Sequence, residues 1–319
     1  MRHRRRLARL LLPLLLLALI PPLAGSCTLA DAPMAGDPPL TQLRWSPPER
    51  PQALVLALHG FNDSKTAFDQ FGAHAAARGV LVEAYDQRGF GARHDRGRWA
   101  GTDALAGEAH DRVRGLRARH PGVPVYVLGE SMGGAIAAVA FASPGAPAVD
   151  GVILSAPAVW GGDALRPLYR RSLALAALGV PWGKLTGGGL KIQATDNIPA
   201  LLALGRDPLY LRETRVDAVA GLVKLMDTAR ERAPSLRVPT LLLTGARDQV
   251  VPPQAHAEFV RLLPEGRCTV VTYVNGWHLL LRDLQRERVY ADALGWIAGR
   301  PPPSGLGRPC GEAATTPLA

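Results

Sequence analysis

A chain of 319 residues that is 47% hydrophobic can bury a sizeable core, as one large α/β domain or two small ones. Its formal charge of +10 suggests a polyanionic partner, but Arg2, Arg4, Arg5, Arg6 and Arg9 supply five of those charges ahead of any acid, leaving +5 for the remainder. The other arginines alternate with acids rather than forming a stripe, which argues against nucleic-acid binding.

The first nine residues are basic, Leu10 to Ile20 is a leucine run broken by Pro13, and small residues follow up to Cys27. This layout predicts a secretory signal peptide over residues 1–26. The apolar run falls short of the roughly 20 residues a membrane span needs. Leu23-Ala24-Gly25-Ser26-Cys27 resembles the lipobox of bacterial lipoproteins, with Ala24 where Leu is usual. The resemblance implies a lipidated Cys27 and an exported protein held on a membrane of the bacterial envelope, facing the periplasm; simple cleavage and an uncleaved anchor are the alternatives. Residues 27–39, rich in Pro, Ala, Gly and Asp, read as a tether.

Leu40–Trp45 reads as an edge strand and the unbroken apolar run Ala53–Leu58 as a central one, ending in His59-Gly60-Phe61-Asn62-Asp63. A helix over Ser64–Arg78 leads to a strand at Val80–Tyr85, closed by Asp86-Gln87-Arg88-Gly89-Phe90-Gly91. A helix over Thr102–Arg119 precedes the stretch around which the chain is organised. There a β-branched run from Val123 meets Gly129-Glu130-Ser131-Met132-Gly133 and then an Ala-rich helix. Val149–Ser155 is a further strand. Alternation of this kind predicts an α/β fold with a doubly wound, mostly parallel sheet whose ligand site lies beyond the strands' carboxyl ends. His59, Asp86, Ser131 and Ala156 all fall there.

Residues 158–235 show no strand pattern, only helical pieces at Pro167–Gly179, Pro199–Leu204 and Val216–Arg232. They predict a helical lid, inserted after the sixth strand, within a core formed by residues 40–157 and 236–300. The sheet resumes at Thr240–Thr244, ending in Gly245-Ala246-Arg247-Asp248. A helix at Pro253–Leu263, a last strand at Cys268–Val274 and a final helix at Arg282–Ala298 complete it. Residues 301–319 read as a flexible tail. Cys268 and Cys310 either pair or remain free thiols.

A serine on a sharp strand-to-helix turn presents its hydroxyl above the sheet, beside the free N–H groups that open the helix. Ser131 is therefore the candidate nucleophile. A hydroxyl needs a base, and the base a carboxylate that orients it, in the chain order Ser, acid, His. His278, in the loop after the last strand, is the candidate base; His256 reads as a surface helix residue. Asp248 is the candidate acid, with Asp163 a rival. Charge developing on an attacked carbonyl calls for preorganised donors, assigned to the backbone N–H groups of Phe61 and Met132, with His59 bracing the Phe61 loop. No His, Cys or Asp cluster has ligand spacing, so neither metal nor other cofactor is expected.

Together the segments His59–Asp63, Tyr85–Gly91, Gly129–Gly134, Gly245–Val251 and Trp277–Leu280 resemble the α/β-hydrolase superfamily, and within it the monoacylglycerol lipase and lysophospholipase group, also termed serine aminopeptidase S33. The resemblance spans residues 53–299 and implies a serine hydrolase that cleaves carboxylic esters of lipids through an acyl-enzyme, its substrate a small lipid or other ester. Action on short peptides, with Glu213 and Asp217 of the lid holding the substrate ammonium, and general carboxylesterase activity are the alternatives. A non-catalytic binding protein on the same fold is a third reading.

Overall fold

A computed structural model describes residues 41–161, 167–186 and 192–313. The signal peptide, the tether, Cys27 and Asp163 lie outside the described residues. The core opens with β1 (Gln42–Trp45), β2 (Ala53–Leu58), a 3₁₀ turn at Lys65–Phe68, α1 (Asp69–Ala76) and β3 (Val80–Tyr85). There follow α2 (Thr102–Arg119), β4 (Val125–Glu130), α3 (Met132–Ala142) and β5 (Gly151–Ser155). The insertion carries α4 (Pro167–Gly179), β6 (Lys184–Thr186), α5 (Ile198–Arg206), β7 (Glu213–Arg215) and α6 (Val216–Arg232). The core then closes with β8 (Thr240–Gly245), α7 (Pro253–Leu262), β9 (Cys268–Tyr273), α8 (Arg286–Ile297), β10 (Gly307–Pro309) and α9 (Cys310–Ala313).

Eight strands form one sheet in the order β1-β3-β2-β4-β5-β8-β9-β10. The six inner strands are mutually parallel, and the antiparallel β1 and β10 close the edges. Every residue of β2, β3, β5 and β8 is buried, as strands covered on both faces require; the one charged residue among them, Glu83 of β3, is paired with Arg44 and Arg119. Alternate residues of β2 divide between the two faces: Leu54, Leu56 and Leu58 pack with α2 and α3, whereas Val55 and Ala57 pack with α1 and α8. Nearly all of α3 is buried, and it runs beneath the insertion against α6. Small residues let it sit close to the sheet: a Cβ at Gly133 would collide with the Leu58 carbonyl.

Register sets the site. Leu58 stands opposite Gly129, so the His59–Asp63 loop and Ser131 leave neighbouring strands at one level. Gly245 stands opposite Tyr273, which brings the loops bearing Asp248 and His278 together at the same edge.

Three expectations need correction. The insertion follows β5, the fifth strand in chain order rather than the sixth. It also includes two three-residue strands, β6 and β7, paired antiparallel with Lys184 opposite Arg215; strands this short leave no periodicity to read. Finally, the described part of the C-terminal segment, residues 301–313, is tied to the edge of the sheet. β10 pairs with β9, and Cys310, which is buried, is disulfide-bonded to Cys268 with 5.3 Å between their Cα atoms. A covalent tie and an edge-strand ladder outweigh the tail's Pro- and Gly-rich composition.

Candidate active site

Ser131 sits between β4 and α3 at φ 53°, ψ −114°, a left-handed backbone that an L residue adopts only under constraint. The constraint is visible. The Ser131 N–H donates to the Ser155 carbonyl at 2.9 Å, and its own carbonyl accepts from Ala158 at 2.8 Å and Ala135 at 3.1 Å. Glycines give the turn room, since a Cβ on Gly129 would strike the Gly133 carbonyl. The hydroxyl is thereby fixed at the carboxyl edge.

His278 lies 2.9 Å from the Ser131 Oγ through Nε2 and 2.8 Å from Asp248 Oδ2 through Nδ1. All three side chains are buried or nearly so. Burial alone raises the carboxyl pKa of Asp248. The hydrogen bond from His278, electrostatic attraction to the imidazoles of His278 and His256, and the Val251 N–H outweigh that, so its pKa lies below the ordinary carboxylate value. Asp248 Oδ1 also accepts the N–H groups of Val250 at 2.8 Å and Val251 at 2.9 Å. An ionised carboxylate only accepts, so Nδ1 carries the imidazole proton. Nε2 is then free to accept the serine O–H, the tautomer that proton abstraction needs.

Met132 opens α3, where its N–H is among those without an intrahelical acceptor. Phe61 follows Gly60, whose Cα lies so near the elbow that an added Cβ would stand 3.4 Å from the Ser131 Cβ. The Phe61 loop is braced by His59, which is fully buried. Its Nε2 accepts the Gln87 N–H at 3.0 Å, so Nδ1–H donates to the Gly60 carbonyl at 2.8 Å. Burial lowers the His59 pKa, in keeping with this neutral form. Nearby, Lys65 Nζ and Asp86 form a buried ion pair at 2.8 Å.

His256, read from sequence as a surface residue, is buried; its Nε2–H donates to the Pro157 carbonyl at 3.1 Å. It lies on the inward face of α7, where burial lowers its pKa to about 4. It has no bond to Ser131 or Asp248.

One cluster escaped the sequence reading. Arg282 Nη2 donates to Asp63 Oδ2 at 2.7 Å and to Glu130 Oε1 at 2.6 Å. This buried triplet ties together the Phe61 loop, the serine elbow and the segment after His278. The two carboxylates raise the Arg282 pKa despite burial, whereas burial is what raises that of Glu130. The partners are 219 and 152 positions apart, so no local pattern could signal the pairing.

Ser131 and His278 open into a cavity of about 440 Å³. Its outer wall is apolar and comes largely from α6 through Val219, Leu222, Val223 and Met226. A wall of this kind suits an apolar ligand group.

A serine elbow above a parallel sheet, with a histidine–aspartate pair at the same edge, defines an α/β-hydrolase fold. The chain belongs to the serine aminopeptidase S33 family, whose model matches residues 49–285. It is 26% identical over 262 residues to a monoacylglycerol lipase of Mycolicibacterium smegmatis, an alignment covering 79% of this chain and 90% of the relative. To human monoglyceride lipase it is 27% identical over 273 residues, covering 83% of this chain and 88% of the relative. Among solved structures, the monoacylglycerol lipase of Paleococcus ferrophilus superposes with a TM-score of 0.70 at 19% identity, over 81% of this chain and 98% of that one.

Proposed function

We propose that this ester hydrolase cleaves carboxylic esters of lipids of the monoacylglycerol or lysophospholipid type through a Ser131–His278–Asp248 triad. The observation that carries the reading is the continuous hydrogen-bonded chain from Asp248 through His278 to the Ser131 hydroxyl, opening into an apolar cavity. The Ser131 Oγ attacks the ester carbonyl carbon as its proton passes to His278 Nε2. The N–H groups of Phe61 and Met132 meet the charge on the carbonyl oxygen; each such donor is worth on the order of 10²–10³ in turnover. The tetrahedral adduct expels the alcohol, which takes the proton from His278. Water, deprotonated by His278, then attacks the acyl-serine, releasing the fatty acid and restoring the hydroxyl. Asp248 holds the imidazole and stabilises its cation throughout.

Peptidase action is less well supported. Glu213 pairs with Lys184 at 2.6 Å, and Asp217 pairs with Arg215. The cavity carboxylates Asp63 and Glu130 are both held by Arg282, so the acids considered for an ammonium group are already engaged.

The test is hydrolysis of monoacylglycerol, lysophospholipid and p-nitrophenyl ester panels, alongside labelling by a fluorophosphonate probe. Ser131→Ala should lower turnover at least about 10⁴-fold and abolish labelling. Absence of Ser131-dependent release from every ester would sink the proposal. The N-terminal pattern adds a second proposal, that the enzyme is exported and held on a membrane through Cys27. Cys27→Ser should then release it from the membrane fraction.

A further inference from the structure

A second cavity, of about 520 Å³, lies beyond Tyr210, which lines both it and the Ser131 cavity. Its walls carry five cationic side chains, Arg96, Arg98, Lys184, Arg212 and Arg215, against two carboxylates, Asp207 and Glu213. Glu213 is taken by Lys184, and Arg215 is held by Asp217. Asp207 accepts from the Thr66 hydroxyl and the Leu209 N–H. Arg96 and Arg212 donate only to the backbone carbonyls of Tyr210 and Gly205. Among the described residues, no carboxylate pairs with Arg96, Arg98 or Arg212, so three guanidinium groups bring uncompensated charge to one recess. An uncharged monoacylglycerol offers such a recess no counter-charge.

The recess is also coupled to the reaction centre. The Leu211 N–H donates to the Asn62 carbonyl at 2.8 Å, and Asn62 Nδ2 donates to the Thr214 hydroxyl at 2.7 Å. The 210–214 segment is therefore stitched to the loop that carries Phe61. A substrate whose acyl chain lies against α6 and whose ester sits at Ser131 must send its alcohol portion out of the cavity, and Tyr210 forms the wall shared with the arginines.

We propose that this cavity binds the phosphate of the substrate's head group, making the enzyme selective for acylglycerols that carry a phosphate ester on the glycerol. The inference rests on the ester-hydrolase reading above. Planar guanidinium groups bind phosphate oxygens bidentately, which makes arginine the suited residue for this task.

The experiment compares Arg98→Ser/Arg212→Ser with wild type, since both side chains are exposed and neither is engaged by a carboxylate. The substrates are 1-octanoyl lysophosphatidic acid and 1-octanoylglycerol, which share an acyl chain. Both are used below their aggregation thresholds so that no lipid surface is present. We expect KM for the phosphorylated substrate to rise about tenfold or more, the loss of one or two charge-assisted contacts, and the effect to shrink in high salt. The uncharged substrate should be cleaved with kcat/KM within about twofold of wild type. Equal losses on both substrates, or none on either, would overturn the proposal while leaving ester hydrolysis standing. A defect seen only with phosphatidylglycerol vesicles would overturn it in favour of membrane-surface contact. Calorimetric titration with glycerol 3-phosphate tests the cavity independently of turnover. Binding by wild type that the double variant loses supports the proposal even if neither ester is cleaved, and no binding by wild type refutes it.

Discussion

Replacing Arg282 with methionine, which keeps the aliphatic stem and removes the charge, tests whether the buried triplet holds the site together. In the wild type, Nη2 lies 2.7 Å from Asp63 and 2.6 Å from Glu130, and the three side chains are only 13%, 6% and 0% exposed. Removing one partner of a buried ion pair typically costs about 3–5 kcal/mol, because the charge left behind has neither water nor counter-ion. Here two carboxylates would be left facing each other. At about 2–4 °C per kcal/mol for a domain approaching this size, the melting temperature should fall by roughly 10 °C. The deficit should also depend on pH. Burial already holds the Glu130 pKa above its unfolded value, and loss of the guanidinium removes an opposing attraction, so its protonated form stabilises the fold at low pH and that stabilisation is lost as pH rises. Arg282→Met should therefore be closer to wild type at pH 5 than at pH 8. Adding Glu130→Gln should recover part of the loss. Thermal melts followed by circular dichroism at the two pH values make the measurement. A melting temperature within about 2 °C of wild type at both, or a loss that does not change with pH, would show that the triplet is not under electrostatic tension and would refute the reasoning.

His256 provides a separate acid-sensitive element. Its folded pKa of about 4 lies below the ordinary 6.5, so the stability tied to its neutral form is complete above pH 6.5 and is lost as pH falls towards 4, by about 3 kcal/mol. His256→Gln, which keeps a donor for the Pro157 carbonyl, should flatten the denaturant midpoint over that range; an unchanged slope would argue against the assignment. Asp283 works in the opposite sense. Burial pushes its pKa up to about 6, so it favours the fold below pH 4 and withdraws that support as pH rises to 6. In urea titrations Asp283→Asn should remove that component, so that the variant gains more stability than wild type between pH 4 and 6; a pH profile parallel to that of wild type over this range would contradict it. Gly133→Ala would drive a methyl group into the Leu58 carbonyl, and we expect it to yield little soluble or labelled protein; a folded, probe-reactive variant would show that the α3–β2 contact is looser than described. Cys310→Ser opens a link between residues 42 positions apart and should cost about 2–4 kcal/mol in urea melts, whereas a midpoint equal to that of the oxidised wild type would leave the disulfide without a stabilising role.

The sequence by itself determined the parallel core. Ala53–Leu58 is apolar throughout, Val80–Tyr85 is so except for Glu83, and Leu241–Leu243 is flanked only by threonines; runs of this kind bounded by turn residues have few places to go except a sheet covered on both faces. It also marked Ser131, Asp248 and His278, because in a wound sheet the residues that follow successive strands must emerge at one edge. Tertiary structure alone decided what depends on partners distant along the chain. The Arg282–Glu130–Asp63 triplet, the burial of His256, the β6–β7 pair, the Cys268–Cys310 bond and the arginine recess beside Tyr210 each join elements that share no local period. Periodicity reports which face of a segment is apolar; the neighbour that face or charge meets is set by how the whole chain packs.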